Sequence, residues 1–127
     1  MSKVNRSSLA RSFGYAFQGI GTCIREERNI KIHLTFTGLV IFFGVFLKIS
    51  PLEWCICLTL FGLVLALELV NTAVEAVVDL VTEERKPLAK KAKDTAAGAV
   101  LIAAICAAAA GLVIFLPKGL RWIGVLH

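Results

Sequence analysis

Residues 95–116 contain no charged side chain. A helix of about twenty apolar residues matches the ~30 Å hydrocarbon core of a bilayer, and few other settings can bury such a run. Two more apolar stretches precede it, residues 32–49 and 52–81, separated by the turn residues Ser50 and Pro51. The length of 127 residues suits a single domain. At 57% hydrophobic and 18% charged, the composition argues against an ordinary soluble domain and for an integral membrane protein. The expected fold is all-α, with three transmembrane helices at about residues 32–50, 52–81 and 95–116.

Basic residues set the orientation. Lys3, Arg6, Arg11, Arg25, Arg28 and Lys31 precede the first span, and Arg85, Lys86, Lys90, Lys91 and Lys93 lie between the second and third. The connection between spans one and two carries only Lys48 and Glu53. The positive-inside bias therefore puts the N-terminus and the loop 82–94 in the cytoplasm. Lys118 and Arg121 then fall on the outer side, against that bias. The net charge of +5 is read as topology, because no alternation of aromatic and basic residues points to nucleic acid. No cleavable leader pattern opens the chain.

Ahead of the first span, Leu9, Phe13, Ala16, Phe17, Ile20 and Ile24 share one face at helical spacing. Residues 6–28 are thus expected to form an amphipathic helix lying on the membrane surface. Projection places Glu27 on the apolar stripe and Glu26 away from it. Cys23, Cys55, Cys57 and Cys106 lack CxxC spacing and read as buried reduced thiols. In the third span Ala99, Ala103, Ala107 and Gly111 recur every fourth residue, a strip that allows close helix approach.

The costly feature lies in the second span. Glu68, Asn71, Glu75 and Asp79 fall within a wedge of about 80° on one helix face. An Asp at mid-membrane costs roughly 3 kcal/mol on insertion scales, so three carboxyl groups on one stripe call for a function. A helix over 52–81 would be about 45 Å long and must protrude from the bilayer. Glu68 and Asn71 then lie within the inner leaflet, Glu75 near the interface, and Asp79 among the headgroups. Such a stripe can join a lipid hydroxyl to a soluble nucleotide.

Magnesium accepts one or two carboxylates together with phosphate oxygens, and Glu27 and Glu75 are the natural pair at the inner interface. Glu68, deeper and drier, suits a general base. Lys93 can neutralise phosphate charge where the third helix is expected to open, and its first amides can add donors. Asp94 reads equally as the N-cap of that helix or as a ligand. Asn71 reads equally as a polar contact that glues helices together. His33 and Trp54 read as interfacial anchors. No Walker A motif is present: the string from Gly14 to Gly19 continues with Ile20 rather than Lys and Ser or Thr. A proton-relaying carrier and a structural subunit remain as alternatives to an enzyme.

The pattern ExxNxxxExxxD at Glu68, Asn71, Glu75 and Asp79, followed by the triplet Ala92, Lys93 and Asp94, resembles the small bacterial membrane kinases that phosphorylate diacylglycerol or undecaprenol. The likeness covers nearly the whole chain. It implies a homotrimeric helical bundle in the bacterial cell membrane, with ATP as phosphate donor, Mg2+ as cofactor and active sites between subunits at the cytoplasmic face. Carried over by residue, it makes Glu27 and Glu75 metal ligands and Glu68 the general base. Asn71 becomes a polar active-site residue, and Asp79, Lys93 and Asp94 contact the nucleotide, with Arg11 and Tyr15 on the nucleotide side of the N-terminal helix. The loop over residues 84–87 departs from the family by lacking a histidine before helix three. The string from Glu26 to Asn29, His33, and the run from Asp94 to Gly98 resemble the Gram-positive branch, which implies undecaprenol as substrate.

Overall fold

The computed structural model describes residues 6–127, so Lys3 lies outside the described residues. Four helices follow one another: α1 (Arg6–Glu26), α2 (Arg28–Phe46), α3 (Pro51–Val81) and α4 (Pro87–Trp122). No strand occurs among the described residues. α2, α3 and α4 are each long and apolar enough to cross a bilayer.

Local chemistry sets each boundary. α1 stops at Glu26, and Glu27 adopts an extended conformation (φ −94°, ψ 121°) before α2 starts at Arg28. The surface helix expected over 6–28 therefore ends at a break, and that break is Glu27 itself. α2 ends at Phe46 in a reversal built on Lys48, whose φ of 53° is left-handed. The amide of Ile49 donates to the Gly44 carbonyl (3.1 Å) and that of Lys48 to Val45 (3.3 Å), the two bonds of a Schellman motif. α3 opens with Pro51 in its first turn and a capping box. The Ser50 hydroxyl accepts from the Glu53 amide at 3.2 Å, and the Ser50 amide donates to the Glu53 carboxylate at 2.7 Å.

α4 differs most from expectation. Pro87 stands in its first turn, so the α3–α4 connection is only residues 82–86 rather than 82–94. Lys93 and Asp94 do not open the helix: they lie about two turns inside it, and the position before the helix is Lys86. Asp94 is consequently no N-cap. Its carboxylate pairs with Lys90 one turn earlier. The amides near Lys93 are spent on the helix, which removes the expected free donors. At 36 residues α4 spans about 54 Å, so its lysine-rich start extends beyond any hydrocarbon core. Charge there marks departure from the membrane, and Ala and Lys keep the segment helical.

α3 is the central element, packed along α4 and, less extensively, against α2. From the small-residue strip Ala103 is buried, and Ala99, Ala107 and Gly111 are half-buried. At the end near the α2–α3 turn, Ile49, Cys57 and Ile114 form a core flanked by Val40, Trp54, Phe61 and Phe115. Trp54 packs directly on Gly44. At the same end Lys118 pairs with Glu53 at 3.3 Å, which accounts for a cation opposite the basic connection. Cys23 and Cys57 are buried as expected, whereas Cys55 and Cys106 are exposed on the spans; all four are free.

Many large apolar side chains of α2 and α4 face outward, among them Phe36, Phe42, Ile102 and Val113. In water such a surface would aggregate, and in a bilayer it is the solvent-facing side. α1 meets the bundle only near its C-terminal end, where Cys23 is buried, and Phe13 and Phe17 on its apolar stripe are exposed.

Candidate active site

The acidic stripe of α3 forms one ladder. Glu68 is only 4% exposed, and its Oε1 lies 3.2 Å from Nε2 of His33 on α2. Asn71, one turn on, is also buried, and its side-chain amide donates to Oε1 of Glu75 at 3.3 Å. Two turns past Asn71, Asp79 Oδ1 accepts from Lys93 Nζ of α4 at 2.5 Å. Depth thus grades the stripe: Glu68 and Asn71 are buried, Glu75 is half-buried, and Asp79 is exposed.

Two hollows flank the ladder. Asn29, Ile32 and His33 of α2, Glu68 and Asn71 of α3, and α4 enclose a cleft of about 320 Å³. At the α3–α4 connection Asp79, Arg85, Lys86, Lys90, Lys93 and Asp94 line a larger, charged hollow of about 660 Å³. Asp79, Lys93 and Asp94, expected to contact nucleotide, are brought together there. Ile32, His33 and Ala104 border both the Glu68 cleft and an apolar groove of about 290 Å³ between α2 and α4. That groove shares Val40, Ala108 and Gly111 with a further apolar hollow that reaches Phe46 and Trp122. Adjoining apolar hollows therefore form a track from the buried carboxylate towards the α2–α3 turn.

Glu27 stands where α1 meets α2, half-buried, with Glu26 exposed beside it, as projection suggested. Residues on either side of it approach α3. Cys23 Sγ lies 3.4 Å from Thr72 Oγ1, and Asn29 lines the cleft with Asn71. Arg11 and Tyr15 are exposed on α1 and line neither the Glu68 cleft nor the charged hollow.

The donor chemistry fits a hard cation that completes its shell with phosphate oxygens. Asn71 Oδ1 is buried without a hydrogen-bond partner, one turn from Glu75. No group of three or more His, Cys, Asp or Glu side chains capable of holding a metal occurs among the described residues.

Sequence reasoning missed His33 as a site residue. It lies in an apolar run near an expected interface, where a histidine reads as an anchor. Only the register of α2 against α3 reveals its contact with Glu68.

Comparison with known proteins agrees with the resemblance. The sequence profile described as prokaryotic diacylglycerol kinase matches residues 14–115. The undecaprenol kinase of Bacillus subtilis is 45% identical over 120 residues, covering 92% of this chain and 98% of that protein. A diacylglycerol kinase of Synechocystis is also 45% identical, over 87% of this chain and 63% of its own length. The Haemophilus influenzae diacylglycerol kinase is 34% identical over 75% of this chain and 80% of its own. With matches of that extent falling on the segments that carry Glu27, the α3 ladder and Lys93, the chain belongs to the prokaryotic diacylglycerol kinase family.

Proposed function

We propose that the protein transfers the γ-phosphoryl group of ATP to the hydroxyl of undecaprenol, giving undecaprenyl phosphate and ADP. The observation that carries this reading is the buried Glu68 at the junction of an apolar track and a line of polar groups leading to the charged hollow. An isoprenoid alcohol would lie in the track with its hydroxyl at Glu68, and the nucleotide would occupy the hollow beside Asp79, Lys93 and Asp94. Arg11 and Tyr15 would approach the nucleotide from the surface helix of the assembled protein. The assembly is a homotrimer in the bacterial cell membrane, with its sites between subunits at the cytoplasmic face.

Glu68 accepts the hydroxyl proton as the lipid oxygen bonds to the γ-phosphorus and the bond to the ADP oxygen breaks. Glu27 and Glu75 would hold Mg2+, with Asn71 orienting Glu75 through the hydrogen bond already described. The bound cation supplies charge neutralisation for the phosphates. Lys93 shares that task, and its pairing with Asp79 keeps the ammonium at the mouth of the hollow. Proximity and electrostatics, rather than covalent chemistry by the protein, supply the rate.

Undecaprenol is favoured over diacylglycerol by the near-complete overlap with the Bacillus enzyme. Purified protein in bilayers holding both lipids at equal surface density, given ATP with a radiolabelled γ-phosphate, tests the choice. Label should enter undecaprenyl phosphate. Preferential labelling of phosphatidic acid would make it a diacylglycerol kinase instead. Protection of Lys93 from amine labelling by magnesium and ATP separates either kinase from a proton-relaying carrier, which would show none.

A further inference from the structure

The contact between His33 and Glu68 joins two helices in the apolar half of the site. His33 is partly covered, with a side-chain exposure of 23%, and its Nε2 faces Glu68 Oε1 at 3.2 Å. A carboxylate as buried as Glu68 is costly unless a donor meets it. Among the described residues lining that cleft, Glu68 is the one ionisable group facing His33. α2 contributes Asn29 and Ile32, and α4 contributes Ala97, Val100, Leu101 and Ala104. The contact also gives a direction: the imidazole stands beside Oε1, and Oε2 is the oxygen left for an incoming hydroxyl.

We propose that His33 is a positioning residue for the phosphoryl transfer: its Nε2–H holds Glu68 Oε1 and so orients Oε2 towards the lipid hydroxyl. The inference rests on the lipid-kinase reading of the site. In the transfer step the hydroxyl proton passes to Oε2 of Glu68, the lipid oxygen bonds to phosphorus, and ADP leaves with the bonding pair. His33 keeps its proton throughout and exchanges nothing with substrate.

Two full-length variants in bilayers test the role. His33→Leu removes the donor, and His33→Gln retains an N–H in roughly the same place. Leu should lower kcat about 100-fold, the loss expected when a reacting group is misplaced by about 1 Å, with the KM for ATP unchanged. Gln should recover at least a tenfold part of the loss. Equal losses in both variants would mean that His33 merely packs, and a Leu variant within twofold of wild type would end the proposal. The contact has a separate readout in wild-type protein: the 15N resonance of the His33 ring should shift on Glu68→Gln. A resonance that stays put would overturn the contact. A resonance that shifts in a protein phosphorylating no lipid would overturn the kinase reading and, with it, the positioning role.

Discussion

Gly44→Ala tests the packing that closes the α2–α3 hairpin. A Cβ built on Gly44 would lie 2.7 Å from Cη2 and 2.9 Å from Cζ2 of Trp54, and 3.1 Å from Cδ1 of Ile49. To restore an ordinary contact of about 3.4 Å the indole must retreat by roughly 0.7 Å, into the core formed by Ile49, Cys57 and Ile114. Overpacking of this kind costs about 1–3 kcal/mol. Alanine returns close to 1 kcal/mol through its better helix propensity, which leaves a net destabilisation of about 1 kcal/mol. Both clashing indole atoms belong to the six-membered ring that phenylalanine lacks at that reach. In a Trp54→Phe background, Gly44→Ala should therefore become neutral or stabilising, with a coupling of about 2 kcal/mol between the positions. Unfolding by SDS from mixed micelles, followed by far-ultraviolet circular dichroism, measures all four corners of the cycle. Equal destabilisation in both backgrounds would refute the clash as the reason for glycine.

Lys48→Gly should stabilise the same hairpin by about 1 kcal/mol in that titration, because Lys48 occupies a left-handed position of a Schellman motif (φ 53°). Glu27→Gln and Glu75→Gln should each abolish lipid phosphorylation while the purified proteins still assemble as wild type does, as judged by cross-linking. Lys93→Met should raise the KM for ATP at least tenfold and leave the KM for lipid unchanged in steady-state assays. Its effect on stability should stay below about 1 kcal/mol, since the pair with Asp79 is largely exposed.

The spans were legible because twenty apolar residues admit few alternatives, and the candidate site stands out because four polar residues at helical spacing are costly in such a run. α4 shows where that reading fails. Lys90, Lys91 and Lys93 look like loop by charge, yet Pro87 in the first turn was the better signal, and the helix continues once it has left the bilayer. Glu27 was placed on the inward face by periodicity, but the break it makes between α1 and α2 carries no strong sequence mark. The pairing of His33 with Glu68 and the seat of Trp54 on Gly44 depend on the offset between α2 and α3. A Schellman turn built on lysine and a capping box set that offset, and neither is evident from hydrophobicity. Arg11 and Tyr15 mark the other boundary. α1 is largely exposed, and these two residues, expected on the nucleotide side, line neither the Glu68 cleft nor the charged hollow.

The central claim is that Glu68 takes the proton from the lipid alcohol. Wild-type protein and Glu68→Gln, reconstituted in bilayers with undecaprenol, magnesium and ATP carrying a radiolabelled γ-phosphate, should differ by at least 100-fold in the rate of undecaprenyl phosphate formation. Magnesium and ATP should still protect Lys93 from amine labelling in both. A Glu68→Gln protein that phosphorylates undecaprenol at the wild-type rate would contradict the account.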